Sequence, residues 1–132
     1  MARHTPATRL SRLRRLVATL AIIFGAMTLV SGGAVLFGPE QARDMAGRYI
    51  DFVVWFNFIA GGFYILAGVG VWLDQMWAAR LATFIAVATT LTALGFAIVV
   101  FQGHPFEMRT VGALAFRAAF WVVAAMVARV RP

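Results

Sequence analysis

Three features of this sequence predict an all-α fold, an integral membrane four-helix bundle. The mean hydropathy is +0.84 and 62% of the residues are apolar, against about half in a soluble domain. The chain holds four apolar runs of about 20 residues, the length that crosses a bilayer as a helix. The connections between them are short, so 132 residues make a single transmembrane domain, 1–132, with nothing left for a second.

Residues 1–15 are polar and basic, carrying Arg3, Arg9, Arg12, Arg14 and Arg15, and predict a cytoplasmic tail. The first span, 16–37, has no charge and stops at Gly38-Pro39, where proline lacks the N–H a helix interior needs. A basic start before an apolar run also fits a secretory signal peptide, with Gly32, Gly33 and Ala34 as a small-residue cleavage site. The run exceeds the roughly 7 to 15 residues of a signal core, which favours a retained span. Residues 38–51 carry Glu40, Arg43, Asp44, Arg48 and Asp51, a mixed-charge connection long enough for a short surface helix. The second span is placed at 52–73, a tight turn at 74–80 and an uncharged third span at 81–101. The last connection, 102–110, precedes a fourth span at 111–128.

Arginine counts set the orientation. The tail, the 74–80 turn and the C-terminus hold eight arginines and the other two connections hold three. Basic residues stay on the cytoplasmic side, so both termini are expected there (N-in/C-in), in a bacterial inner membrane. Tyr49 and Trp55 fall near one interface and Trp72 and Trp77 near the other, where amphipathic rings settle. The net charge of +7 reads as orientation and contact with anionic lipid rather than nucleic-acid binding. With no cysteine, disulfides, thiolate metal sites and cysteine nucleophiles are excluded. No glycine-rich phosphate loop, nucleophile motif or paired carboxylates with a base are visible, which leans against an enzyme.

Lipid tails are as apolar as leucine, so helix association relies on close approach through small residues. Gly25, Thr28, Gly32 and Gly33 supply these in the first span, and Gly61, Gly62, Gly68 and Gly70 in the second. Ala113, Ala124 and Ala128 lie along one face of the fourth.

Arg117 stands out. An arginine at the centre of a span costs about 2.5–3.5 kcal/mol on the insertion scale, nearly cancelling the apolar residues of the fourth span, which should insert with help from the others. Six residues past Val111, its backbone is expected about 9 Å below the outer interface, on an inward face with Thr110, Ala113, Trp121, Ala124 and Ala128. Asn57 falls at matching depth in the second span, and Asn57, Gly61, Tyr64 and Gly68 share a face. A polar cluster of Ser31, Asn57, Tyr64, Thr92 and Arg117 is therefore predicted, with Asp51 or Glu107 as counter-charge. It reads first as a structural clasp, and second as a site for an anionic ligand, quinone or lipid headgroup, or as a proton path. No cofactor is predicted beyond bound lipid or quinone.

His104 and Glu107 are three residues apart, and Pro105 suits a first helical position. That spacing is usable by a metal, but two ligands do not complete a site, and the other histidine, His4, is expected on the opposite side. Glu107 is expected at a helix N-terminus, balancing its dipole.

The stretch Tyr49-Ile50-Asp51-Phe52-Val53-Val54-Trp55-Phe56-Asn57-Phe58-Ile59-Ala60-Gly61-Gly62, then Trp77-Ala78, then Glu107 to Ala113 with Arg117 and Trp121, resembles small four-span bacterial inner-membrane proteins that carry no assigned activity. Ser31-Gly32 to Phe37-Gly38 resembles the DoxX-like four-helix group, some of whose members serve with redox enzymes. The connections with Pro39, Glu40 and Arg43 and with Pro105, Glu107 and Arg109 also suggest a degenerate parallel repeat. The leading functional expectation is a non-catalytic accessory or assembly subunit of a larger, bioenergetic membrane complex, in contact with lipid and with other subunits or copies of itself. The alternatives are a small carrier or quinone- or lipid-binding protein using the Arg117 layer, and a membrane subunit of a redox enzyme.

Overall fold

The computed structural model describes residues 6–130; Arg3, His4 and Arg131 lie outside them. It contains five helices and no strand among the described residues: α1 (Pro6–Phe37), α2 (Glu40–Ala46), α3 (Asp51–Trp72), α4 (Met76–Phe101) and α5 (Met108–Arg129). All but α2 are long and apolar enough to cross a membrane. The protein is thus a multi-pass membrane bundle, and its four long helices touch lipid.

Three boundaries differ from the expectation. The helix of the first span begins before residue 16, because α1 is helical from Pro6, a residue suited to a first helical turn, and so takes in residues 6–15 of the basic segment. The expected 74–80 turn is shorter, since α4 starts at Met76. Asp74 takes the left-handed conformation, φ 56°, and Gln75 N–H donates to Gly70 O at 2.9 Å, so Leu73, Asp74 and Gln75 suffice to reverse the chain. Helix α5 begins at Met108, three residues before the predicted span. The first connection holds the short helix α2, none of whose residues is buried.

The long helices run alternately up and down. α1 packs along α3, α3 along α4 and α4 along α5, while α1 meets α5 over a much shorter seam. This order leaves α3 and α5 facing each other across the interior. One end of the bundle carries the α1–α3 and α4–α5 connections, called here the two-loop end; the other carries the α3–α4 turn.

Glycines set the tight α1–α3 approach. A Cβ on Gly25 would lie 2.7 Å from Gly61 O, and one on Gly68 2.9 Å from Ala18 O, closer than real Cβ contacts allow. Gly62 faces open space. In α5, Ala124 and Ala128 are buried but Ala113 is exposed. The half of the core toward the turn end is alanine-rich, with Ala18, Ala21, Ala67, Ala78, Ala82, Ala124, Ala125 and Ala128 all buried.

A guanidinium closes that end. Arg14, 5% exposed, reaches Asp74 Oδ1 at 2.7 Å and donates to Val130 O at 2.8 Å, tying α1 to the turn and to the end of α5. At the two-loop end, Glu107 Oε1 accepts the Arg48 N–H at 2.9 Å and lies 3.6 Å from Arg48 Nε. Arg109 donates to Met45 O at 3.2 Å, so the two connections are strapped together.

Candidate functional site

Arg117 sits nine residues into the 22-residue α5, about 13.5 Å along an axis of roughly 33 Å. It therefore lies nearer the middle of its helix than the expected span start at Val111 implied, because α5 starts three residues earlier. Its Nε and Nη1 are buried without a hydrogen-bond partner, and its guanidinium carbon lies 5.2 Å from the centroid of the Phe24 ring. That is cation–π distance, so the charge rests on an aromatic face of α1 rather than on a carboxylate.

Around it the middle of the bundle gathers hydroxyl and N–H groups. The Tyr64 hydroxyl lies beside Arg117, Thr89 and Trp121. Tyr64 and Thr89 are 0% exposed and Trp121 1%. Tyr64 Oη, Thr89 Oγ1 and Trp121 Nε1 all lack a hydrogen bond, as do Thr28 Oγ1 and Asn57 Oδ1. Rings wall the layer: Tyr64 stacks on Phe24 with centroids 5.6 Å apart and packs on Trp121 at 4.8 Å, and Phe120 meets Trp121 edge-on at 5.3 Å. Unpaired buried polar atoms are costly, about 1–3 kcal/mol each, and most buried polar atoms in folded proteins are satisfied. All four long helices contribute such atoms to the middle of the bundle, which makes it the candidate site.

The predicted cluster is redistributed. The structure brings Tyr64 to Arg117 and leaves Asn57 one layer nearer the two-loop end. Thr92 turns its hydroxyl to Ala88 O at 2.9 Å, and Thr89, one turn earlier, takes the interior position. Ser31 is exposed and donates to Thr28 O at 3.3 Å; Thr28 faces inward instead. Neither proposed counter-charge reaches Arg117. Asp51 is exposed at the start of α3, and Glu107 is held by Arg48. The physical reason is that carboxylates are hydrated most cheaply at the helix ends, and all five acids lie there or in connections. Thr89 and Trp121 were missed as site residues. Trp121 was placed on the Arg117 face, and the position of Thr89 near the middle of the 26-residue α4 was the available signal.

A well leads toward this layer from the two-loop end. A cavity of about 210 Å³ between α3 and α5 is lined by Tyr49, Ile50, Val53, Val54 and Asn57 on one side and Glu107, Arg109, Thr110, Ala113 and Leu114 on the other. Asn57 is its deepest lining residue on α3, and Ala113 precedes Arg117 by one turn on the same helix face. Beyond the Arg117 layer the alanine-packed half begins, closed by Arg14. The arrangement is a blind well rather than a channel.

The His104 loop does not take the expected form. His104 and Pro105 are non-helical and Glu107 is the residue before α5, so His104 and Glu107 do not share a helix face. His104 lines a larger, open depression of about 660 Å³ with Arg48, Asp51, Val99 and Pro105, which shares Tyr49 and Ile50 with the well. Among the described residues no three His, Asp or Glu side chains cluster to hold a metal. The carboxyl of Glu107 is held below its ordinary range, first by the Arg48 N–H that it accepts and then by the charges of Arg48 and Arg109.

Comparison with known proteins returns no match: no family model, no curated protein and no solved structure corresponds to this chain.

Proposed function

We propose that the protein is a non-catalytic membrane binding protein that holds a ligand bearing hydrogen-bond acceptors in the layer around Arg117. It stands in a bacterial inner membrane with both termini cytoplasmic, which opens the well to the opposite side. One observation carries the reading. Arg117, Tyr64, Thr89 and Trp121 converge at the centre of the bundle, and Arg117 Nε and Nη1, Tyr64 Oη, Thr89 Oγ1 and Trp121 Nε1 are buried there without a well-formed hydrogen bond. An arginine stays ionised, with five donors and no acceptor capacity, so a layer of this kind is completed by an acceptor such as a quinone carbonyl, a lipid headgroup or an anion. A through-path for transport is disfavoured by the packed alanine half. A clasp formed by protein partners alone is disfavoured because the one acid within a long helix, Asp51, is the first residue of α3 and exposed.

The test is mass analysis of protein purified in mild detergent, wild type beside Thr89→Val and Arg117→Gln. A ligand retained in fixed ratio by the wild type and lost from both variants supports the reading. Equal retention by all three proteins removes it.

A second reading, the accessory subunit of a larger complex, is favoured by the incomplete α1–α5 seam. There Leu20, Ile23, Phe24, Met27, Phe116 and Phe120 line an apolar groove of about 220 Å³. Co-purification in fixed ratio with a large complex would favour it.

A further inference from the structure

We infer that the well between α3 and α5 binds a small organic monocarboxylate, with its apolar body in the well and its carboxylate on Asn57 and Arg117. This rests on the binding reading above and narrows it to one ligand class.

Charge is the first argument. Arg117 carries a permanent positive charge half-way along α5, and the five acids of the chain are all at helix ends or in connections. Two of them are already paired, Asp74 with Arg14 and Glu107 with Arg48. Among the described residues the charge in the interior therefore has no counter-ion, and a charge in a water-poor interior is costly unless paired. One cation calls for one negative charge, which favours a monoanion over a phosphate dianion. The guanidinium fork also matches the two oxygens of a carboxylate.

Size and lining are the second. At about 210 Å³ the well is smaller than the roughly 300–1,000 Å³ of clefts that take drug-sized molecules, too small for a phospholipid headgroup with its glycerol. Ile50, Val53, Val54 and Leu114 give it apolar walls, fit for a phenyl ring or a short alkyl chain. At its rim Glu107 is neutralised by Arg48 and flanked by Arg109, so an anion entering there meets no uncompensated negative charge from it.

Reach is the third. Helical side chains lean back toward the N-terminus of their own helix, over the preceding turn. For Arg117 that turn holds Ala113, which lines the well. Arg117 rests on the Phe24 face and does not itself line the well; a rotamer change over Ala113 would carry its guanidinium toward Asn57, whose Oδ1 is buried without a partner. Tyr64, Thr89 and Trp121 lie behind it and supply further donors.

The experiment titrates benzoate and butyrate into the detergent-purified full chain and follows thermal stability and heat of binding, with benzyl alcohol and inorganic phosphate as controls. Saturable stabilisation by benzoate or butyrate, absent with both controls, is expected. Ala113→Leu, which fills the well from an exposed wall position, should weaken binding at least tenfold while leaving the unliganded melting temperature unchanged. Arg117→Gln should weaken it as much, and if that variant does not accumulate, Ala113→Leu decides. Wild-type affinity in Ala113→Leu, or carboxylates binding no better than benzyl alcohol, overturns the assignment. If carboxylates fail while a neutral quinone or lipid is retained in an Arg117-dependent way, the ligand class is wrong and the binding reading stands. If nothing retained depends on Arg117 or Thr89, both fall.

Discussion

Tyr64 shows what a single side chain does in this bundle. Its ring is packed between Phe24 and Trp121, and its hydroxyl is buried without a hydrogen bond. The ring contributes through packing, whereas the hydroxyl costs desolvation. Tyr64→Phe is therefore expected to leave the stability of the unliganded protein unchanged or raise it by up to about 1 kcal/mol, measured by unfolding in detergent. A loss of more than that amount would show that the hydroxyl has a partner. Arg117→Leu separates two roles of its residue. It removes an insertion cost of about 2.5–3.5 kcal/mol at the centre of a span, so the variant should accumulate in membranes at wild-type levels or above while losing ligand. Failure to accumulate would mean that the guanidinium clasps the helices.

At the scale of elements, the α1–α3 pair is the tightest unit and depends on backbone approach through Gly25, Gly61 and Gly68. Gly68→Val would push into Ala18 O and Ile22 and should cost about 1–3 kcal/mol by overpacking. Gly62→Ala meets nothing within 4 Å and should be neutral or better, since glycine is the weaker helix former by about 1 kcal/mol. The pair of variants, compared by thermal unfolding, distinguishes a packing role from a general glycine effect; equal losses would refute the seam. At the turn end, Arg14 is almost wholly buried while its partner Asp74 is 73% exposed. Arg14→Ala loses both the ion pair and the bond to Val130 O, for about 1.5–3 kcal/mol. Asp74→Asn should cost less, because Asn tolerates the left-handed conformation and the exposed half of an ion pair contributes little.

Over the whole molecule the two ends do different work. One is closed by Arg14 over an alanine-packed half, and the other is strapped by Glu107 above a well. Because the Glu107 carboxyl is held below its ordinary 4.5 in the folded chain, the contribution of the strap is complete above that value. It is lost as pH falls through the lower folded value. The difference in melting temperature between wild type and Glu107→Gln is thus expected to be constant near neutrality and to shrink toward zero as pH drops below about 4.5. A difference that grows in acid would contradict the assignment of the bond from Arg48.

Sequence by itself determined the fold class, the number of long helices and the presence of Arg117 inside the last of them, because apolar runs and a charge within one are local properties of the chain. It also brought Tyr64 and Asn57 into view through helical periodicity. It did not determine which polar residues meet. Counting depth from assumed span ends chose Ser31 and Thr92, whereas packing turned Thr28 and Thr89 inward, and the earlier start of α5 put Arg117 near the middle of its helix. The counter-charge was misplaced for the same reason: Glu107 is near α5 in sequence, but the fold sets it against Arg48, 59 residues away. Arg14, one arginine among five before residue 16, acquires its role only when the turn and the end of α5 arrive beside it. Helical phase is written in the sequence, but rotation, register and the meeting of distant ends depend on how four helices pack together, and that was decided only by the tertiary structure.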